Sequence, residues 1–135
     1  MNKQKKKVMV DMSVTLIHHG HIRLLKKANE YGKVIVALTT DKEIKKFKGY
    51  KPEMSFAQRK EILKSIRYVN KVVASKFTLN DKFLNKYKID LLIRGHGDNT
   101  YVNKKRLLIF GRTKNISSTL IRKRAIRCFQ QTNKR

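Results

Sequence analysis

Residues 16–25, LIHHGHIRLL, place three of the chain's four histidines within four positions, with a glycine between two of them. Imidazoles this close can ligate a metal, cap a helix or hydrogen-bond an anion. Zinc needs three or four ligands. His18 and His21 supply two, the single cysteine, Cys128, lies far along the chain, and carboxylates are scarce. Capping accounts for a histidine at a helix start but not for Gly20. Anion chemistry accounts for both. A glycine at a strand-to-helix turn lets a ligand approach the backbone closely. The helix start offers unpaired N–H groups and the positive end of its dipole. His18 and His21 then flank that point as donors to phosphate oxygens.

A second segment repeats the pattern. In GRTKNISST, residues 111–119, Arg112 is a bidentate phosphate donor, and Thr113, Ser117, Ser118 and Thr119 surround a predicted helix start with hydroxyls. A plain N-cap needs one serine. Two anion-binding helix starts on one rim suit a triphosphate.

The elements that must position these groups alternate in type. KVMVDMS (7–13), KVIVALT (33–39), KVVAS (71–75), IDLLIRG (89–95) and RLLIFG (106–111) read as strands. Helical spacing links Ile22, Leu24, Leu25, Ala28 and Tyr31, then Phe56, Ile62, Leu63 and Ile66 behind a Ser55 cap, then Leu79, Phe83, Leu84 and Tyr87. A last helix runs from near Ser117 to about Phe129, and residues 41–54 read as a polar, lysine-rich connection. Such alternation predicts a doubly wound α/β fold of about five parallel strands with helices on both faces. Ligands then bind at the carboxyl ends of the strands. The histidine cluster, the GHGD segment (95–98) and the arginine-serine segment follow the first, fourth and fifth strands, so all three meet on one rim.

With 135 residues the chain is expected to be one domain, residues 1–135, with basic ends at 1–6 and about 130–135 outside the packed core. Thirty-four Lys and Arg against nine Asp and Glu give a net charge of +25, which attracts polyanions. The cations are spread along the chain and aromatics do not interleave with them, so the pattern is not that of a single-strand-binding platform. A small, highly anionic substrate fits better than nucleic acid as the primary partner. The lone cysteine and the lack of a hydrophobic leader or long apolar run predict a cytoplasmic protein with no membrane span.

HHGH resembles the HxGH signature of the nucleotidyltransferase superfamily, and RTKNISST resembles the RTxGIST motif of its cytidylyltransferases. FKGY (47–50) and IRYVNKVV (66–73) are similar to segments of glycerol-3-phosphate and choline-phosphate cytidylyltransferases, and VDMSVTLIHHGHI is similar to phosphonate-pathway cytidylyltransferase domains. The resemblance implies a Rossmann-like domain, CTP as co-substrate with Mg²⁺, a small phosphate- or phosphonate-bearing acceptor, release of pyrophosphate, and a homodimer. It implies catalytic roles for His18, His21 and Lys48, with Lys46 and Lys51 as rivals of Lys48. Nucleotide contacts fall to Ser13, Gly20, Arg112, Thr113, Ile116, Ser117, Ser118 and Thr119. Acceptor contacts fall to Thr15, Lys48, Arg59, His96 and Asp98, and no residue is assigned as a metal ligand.

Three departures stand out. Thr15 occupies the place of a family aspartate, His96-Gly97-Asp98 replaces an acidic pair, and Asn115 stands where the motif has glycine. Asparagine tolerates the left-handed backbone, which makes the last change mild. Two alternatives accompany the main reading. ISSTLIR also resembles the signature of adenylyltransferases that use ATP, and the charge with Thr15 fits a degenerate basic binding module.

Overall fold

Short runs of valine, isoleucine and leucine build the centre of the molecule. The computed structural model describes residues 6–97 and 100–133. Lys7–Met12 (β1), Lys33–Thr39 (β2), Val69–Ser75 (β3), Leu91–Arg94 (β4) and Leu107–Ile109 (β5) pair in parallel in the order β3-β2-β1-β4-β5. The register sets Val8 and Val10 beside Val34 and Val36 on one side, and beside Leu91 and Ile93 on the other. Alternate residues face opposite ways along a strand, so the sheet feeds two cores. Val8, Val10, Val34, Val36 and Ile93 meet Leu25 and Ala28 of His19–Asn29 (α1) and Leu63 of Phe56–Lys64 (α3). On the other face Met9, Ile35, Val73 and Leu92 meet Leu84 of Asp81–Lys86 (α4), together with Leu79 and Val102.

The chain moves outward from β1 through β2 to β3, then crosses to the far side of β1 to lay down β4 and β5. That reversal opens a crevice at the carboxyl ends of β1 and β4, where such sheets hold ligands. The predicted five-stranded α/β fold is the one observed.

Several boundaries differ from the sequence reading. The expected polar connection at 41–54 begins with a helix, Asp41–Lys48 (α2). Thr40 caps it by accepting the Glu43 N–H, Asp41 and Glu43 sit in its positive first turn, and Gly49 ends it in the left-handed region at φ 78°. α1 begins at His19 rather than Ile22, and β4 and β5 are shorter than expected. Ser118–Asn133 (α5) runs four residues past Phe129, so residues 130–133 expected among the loose ends continue the helix.

Candidate active site

Each strand end delivers its residues to one cleft of about 620 Å³ at the carboxyl edge of the sheet. After β1 the backbone turns sharply, with Val14 held at φ 49° although it is β-branched and buried. A branched side chain in the left-handed region is strained, and such strain concentrates at functional sites. The turn lifts Thr15–His18 out of the sheet and starts α1 beneath the cleft.

At that helix start the two histidines act together. His18 is the N-cap, and its Nδ1 accepts the Gly20 N–H at 3.1 Å. His21 Nδ1 accepts the His18 N–H at 3.1 Å, and the two rings stack with centroids 3.8 Å apart. An imidazole that accepts at Nδ1 carries its proton at Nε2 when neutral. Burial, reinforced by the neighbouring His18 and the Lys48 ammonium, pushes His21 down to about 3. Burial and His19 also lower His18. At neutral pH both are therefore uncharged Nε2–H donors lining the cleft. The capping bonds fix the tautomer and the orientation of both rings.

Gly20 follows from the same geometry. A Cβ there would stand 2.8 Å from His18 Cε1 and 2.9 Å from its Nδ1, because the ring folds over this backbone. The glycine makes room for the histidine.

The second helix start lies across the crevice. Asn115 takes φ 62°, the left-handed conformation expected of it. Ser117 caps α5 by accepting the Leu120 N–H at 3.1 Å. Ser118 is occupied in another way: its Oγ donates to the Leu16 carbonyl at 2.8 Å and accepts the Leu16 N–H at 3.3 Å, tying α5 to the loop before His18. Arg112, Thr113, Ile116 and Thr119 line the cleft. Arg112 contacts His96, and partial burial together with the Arg112 and Arg94 guanidinium groups holds His96 below the ordinary imidazole range. Ser13 and Thr15 also line the cleft, with Thr15 only 1% exposed. Lys48 lines it from the end of α2, whereas Lys46 and Lys51 do not. Asp98 lies outside the described residues.

Arg59 is placed elsewhere. It is 1% exposed and donates to the carbonyls of Ser13 (2.7 Å), Thr39 (2.9 Å) and Met54 (3.1 Å) and to the Asp41 carboxylate (2.6 Å). These bonds knit the exits of β1 and β2 to α2 and α3, so Arg59 shapes the rim from beneath and does not line the cleft.

The structure adds residues that the motifs did not single out. Asp11 and Arg94 pair at 3.1 Å on the cleft floor, where burial raises the Asp11 carboxyl against the pull of Arg94. Tyr50 and Phe77 form the far wall. The rule that strand ends build the site is the signal that would have found Arg94, the last residue of β4; Tyr50 and Phe77 carry no local signal. Among the described residues no cluster of His, Cys, Asp or Glu is arranged to hold a metal ion. The one described carboxylate lining the cleft is already paired with Arg94, so the donor set does not fit a resident magnesium site.

A parallel α/β sheet with two helix starts bordering the crevice at its carboxyl edge is a Rossmann-like domain. Comparison with known proteins narrows the class. The family model for cytidylyltransferase-like proteins matches residues 15–124. The chain is 37% identical over 123 residues to glycerol-3-phosphate cytidylyltransferase of Staphylococcus aureus, covering 87% of this chain and 92% of that one. It is 42% identical over 74 residues to FAD synthase of Pyrococcus horikoshii, covering 54% and 50% of the two chains. A solved structure, the lipopolysaccharide core biosynthesis protein from Thermoplasma volcanium, shares the fold with a TM-score of 0.61 at 20% identity, over 69% of this chain and 76% of that one. The chain belongs to the cytidylyltransferase-like family.

Proposed function

We propose that the protein transfers CMP from CTP to a small phosphate- or phosphonate-bearing acceptor. An acceptor oxygen attacks the α-phosphorus in line, the bond to the β-phosphate oxygen breaks, and pyrophosphate leaves with that electron pair. No covalent enzyme intermediate forms. The observation that carries this reading is the pair of neutral Nε2–H donors of His18 and His21 at the start of α1, facing the same cleft as Lys48 and the start of α5.

Charge that builds on the α-phosphate oxygens is stabilised by donors already oriented. His18 and His21 supply them without a proton transfer, and the Lys48 ammonium draws the acceptor anion and the α-phosphate together. Arg112, Thr113, Thr119 and the N–H groups at the start of α5 hold the β- and γ-phosphates. Ser13 and Gly20 border the nucleotide, and Thr15 and His96 border the acceptor. Magnesium enters bound to the triphosphate, as part of the substrate.

The wall and floor also restrict the acceptor. Asp11 is paired with Arg94, the Tyr50 ring lies under the Arg122 guanidinium at 4.9 Å, and Phe77 stacks on Phe47 at 4.9 Å. The one described carboxylate of the cleft and one face of each ring are thus already engaged, which weakens the hold on an ammonium group. The cleft therefore favours an uncharged polyol phosphate or phosphonate over a phosphocholine-like amine.

Likeness to an FAD synthase favours a second reading, transfer of AMP from ATP, because FAD contains an adenylyl group. The family resemblance supports a homodimer in the cytoplasm, which sedimentation and fractionation test directly.

A thermal-shift titration with CTP and ATP, each with and without Mg²⁺, separates the readings. Ligand at about a hundred times its dissociation constant adds roughly 2.7 kcal/mol of stability. CTP shifts the transition more than ATP, and the difference disappears in His18→Ala/Arg112→Ala. A larger ATP shift moves the assignment to adenylyl transfer. Equal shifts that survive in the variant mean that bulk charge binds the nucleotide, and they remove the enzymatic reading. Pyrophosphate release with glycerol 3-phosphate, phosphoethanolamine and a simple alkylphosphonate then ranks the acceptors.

A further inference from the structure

Lys48 is exposed at the last position of α2, and among the described residues no hydrogen bond or ion pair fixes its side chain. Gly49, which follows, sits at φ 78° with open space around its α-carbon. The base of this excursion from the sheet is fixed, because Asp41 accepts from Arg59 at 2.6 Å and from the Phe56 N–H at 3.1 Å. Its tip, Lys48–Glu53, is not reached by those bonds.

The tip is held from the other side of the molecule. Arg122, on the second turn of α5, makes a two-pronged ion pair with Glu53, with Nη2 2.8 Å from Oε1 and Nε bonded to Oε2. The same guanidinium covers the Tyr50 ring at 4.9 Å and reaches Thr15 Oγ1 at 3.4 Å. α5 is itself anchored by the reciprocal Ser118–Leu16 bonds just before His18. A continuous chain of contacts thus runs from the histidine loop through Ser118, Arg122 and Glu53 to Tyr50, two residues from Lys48.

We infer that Arg122 and Glu53 form a brace that sets the position of Lys48 relative to His18 and His21, and that both are positioning residues for the transfer. The inference rests on the proposed role of Lys48. In a chain with 34 basic and nine acidic residues, a carboxylate that engages both prongs of one guanidinium is a costly use of a rare group, and it leaves Arg122 directed at Glu53 and not into the cleft. A planar fork is also what such a joint requires, since it fixes orientation as well as distance.

The test compares the full-length protein with Glu53→Gln, Arg122→Gln and the exchanged pair Glu53→Arg/Arg122→Glu, which keeps the net charge of the parent. Backbone hydrogen exchange over residues 46–54, without ligand, reads the brace independently of activity. Exchange there rises about tenfold in either single variant and returns toward the parent in the exchanged pair. In CMP transfer, kcat falls about tenfold or more in the single variants, as expected for a misplaced catalytic group, with KM for CTP changed less than about threefold. The exchanged pair recovers much of kcat. Unchanged exchange in both single variants overturns the brace, whatever the activity. Looser exchange with unchanged kcat overturns the positioning role. A raised KM with constant kcat and no recovery in the exchanged pair shows that Arg122 is a triphosphate ligand. A parent that transfers no CMP, yet shows brace-dependent exchange, overturns the proposed reaction while leaving the brace intact.

Discussion

Gly20→Ala separates the proposed catalytic use of His18 from its structural use. The added methyl would lie 2.8 Å from His18 Cε1 and 2.9 Å from Nδ1, too close for either atom to stay. Ile116 Cγ2, at 3.3 Å, also has to give by a few tenths of an ångström. Backbone strain is absent, because Gly20 is a helical residue in the first turn of α1. The ring therefore swings away and its bond to the Gly20 N–H breaks. Losing an N-cap costs about 1 kcal/mol. Replacing glycine by alanine in a helix returns up to about 1 kcal/mol. Stability changes by less than about 1 kcal/mol, or about 4 °C in Tm for a domain of this size. Activity behaves differently, since one donor aimed at developing charge is worth about 10²–10³ in kcat. Thermal denaturation beside a pyrophosphate-release assay measures both. An enzyme with near-parental kcat refutes the claim that His18 must lie over this backbone, and one that loses activity only by unfolding refutes the separation.

Four further outcomes follow from the site. Because the folded His21 is held near 3 while an unfolded histidine titrates near 6.5, the unfolded chain binds the extra proton between those values. Stability therefore falls as pH drops below about 6.5, by up to about 1.4 kcal/mol per pH unit for this group, and His21→Gln flattens that slope in acid denaturation. The lowered value also predicts no inflection from His21 in kcat/KM between about pH 5 and pH 9. Arg59→Met leaves the Ser13, Thr39 and Met54 carbonyls and the half-exposed Asp41 carboxylate without their partner, so chemical denaturation shows a loss of about 3–5 kcal/mol; a stable variant with weakened acceptor binding would instead make Arg59 a ligand. Arg112→Ala, at an exposed rim position, weakens CTP binding by calorimetry about 10- to 100-fold, as for a lost charged hydrogen bond, with Tm unchanged; unaltered affinity excludes it from the phosphate site.

The strands were legible because Val8, Val10, Val34, Val36 and Ile93 are β-branched residues in short runs, and a fully buried strand leaves that mark. α2 was missed because Ile44 is its only buried residue among lysines, so no apolar face announces it. Its evidence lay in the ends, with Thr40 and Glu43 at capping spacing and Gly49 beyond. That both helix starts border one cleft was readable from the strands they follow. Which arginine faces the cleft was not, since Arg59 and Arg112 differ in burial and not in chemistry. The hint at Arg59 was its spacing of four from the buried Leu63, which puts both on the inner face of α3. The Arg122–Glu53 pair, 69 positions apart, left no local trace.

A chain of net charge +25 attracts every polyanion, so charge by itself cannot choose a nucleotide. Choice has to come from groups whose direction is fixed, and the structure separates the two tasks. The histidines nearest the proposed α-phosphate position are uncharged and held by backbone bonds, while the ammonium and guanidinium groups of Lys48 and Arg112 stand at the exposed rim. Salt screens long-range attraction over about 8–10 Å at physiological strength but acts weakly on a buried hydrogen bond. Raising ionic strength from about 50 mM to 300 mM should therefore lower kcat/KM for CTP several-fold while kcat stays within about twofold. A parallel fall in kcat would mean that the transition state relies on the diffuse field, and the oriented imidazoles would lose their place as the main source of catalysis.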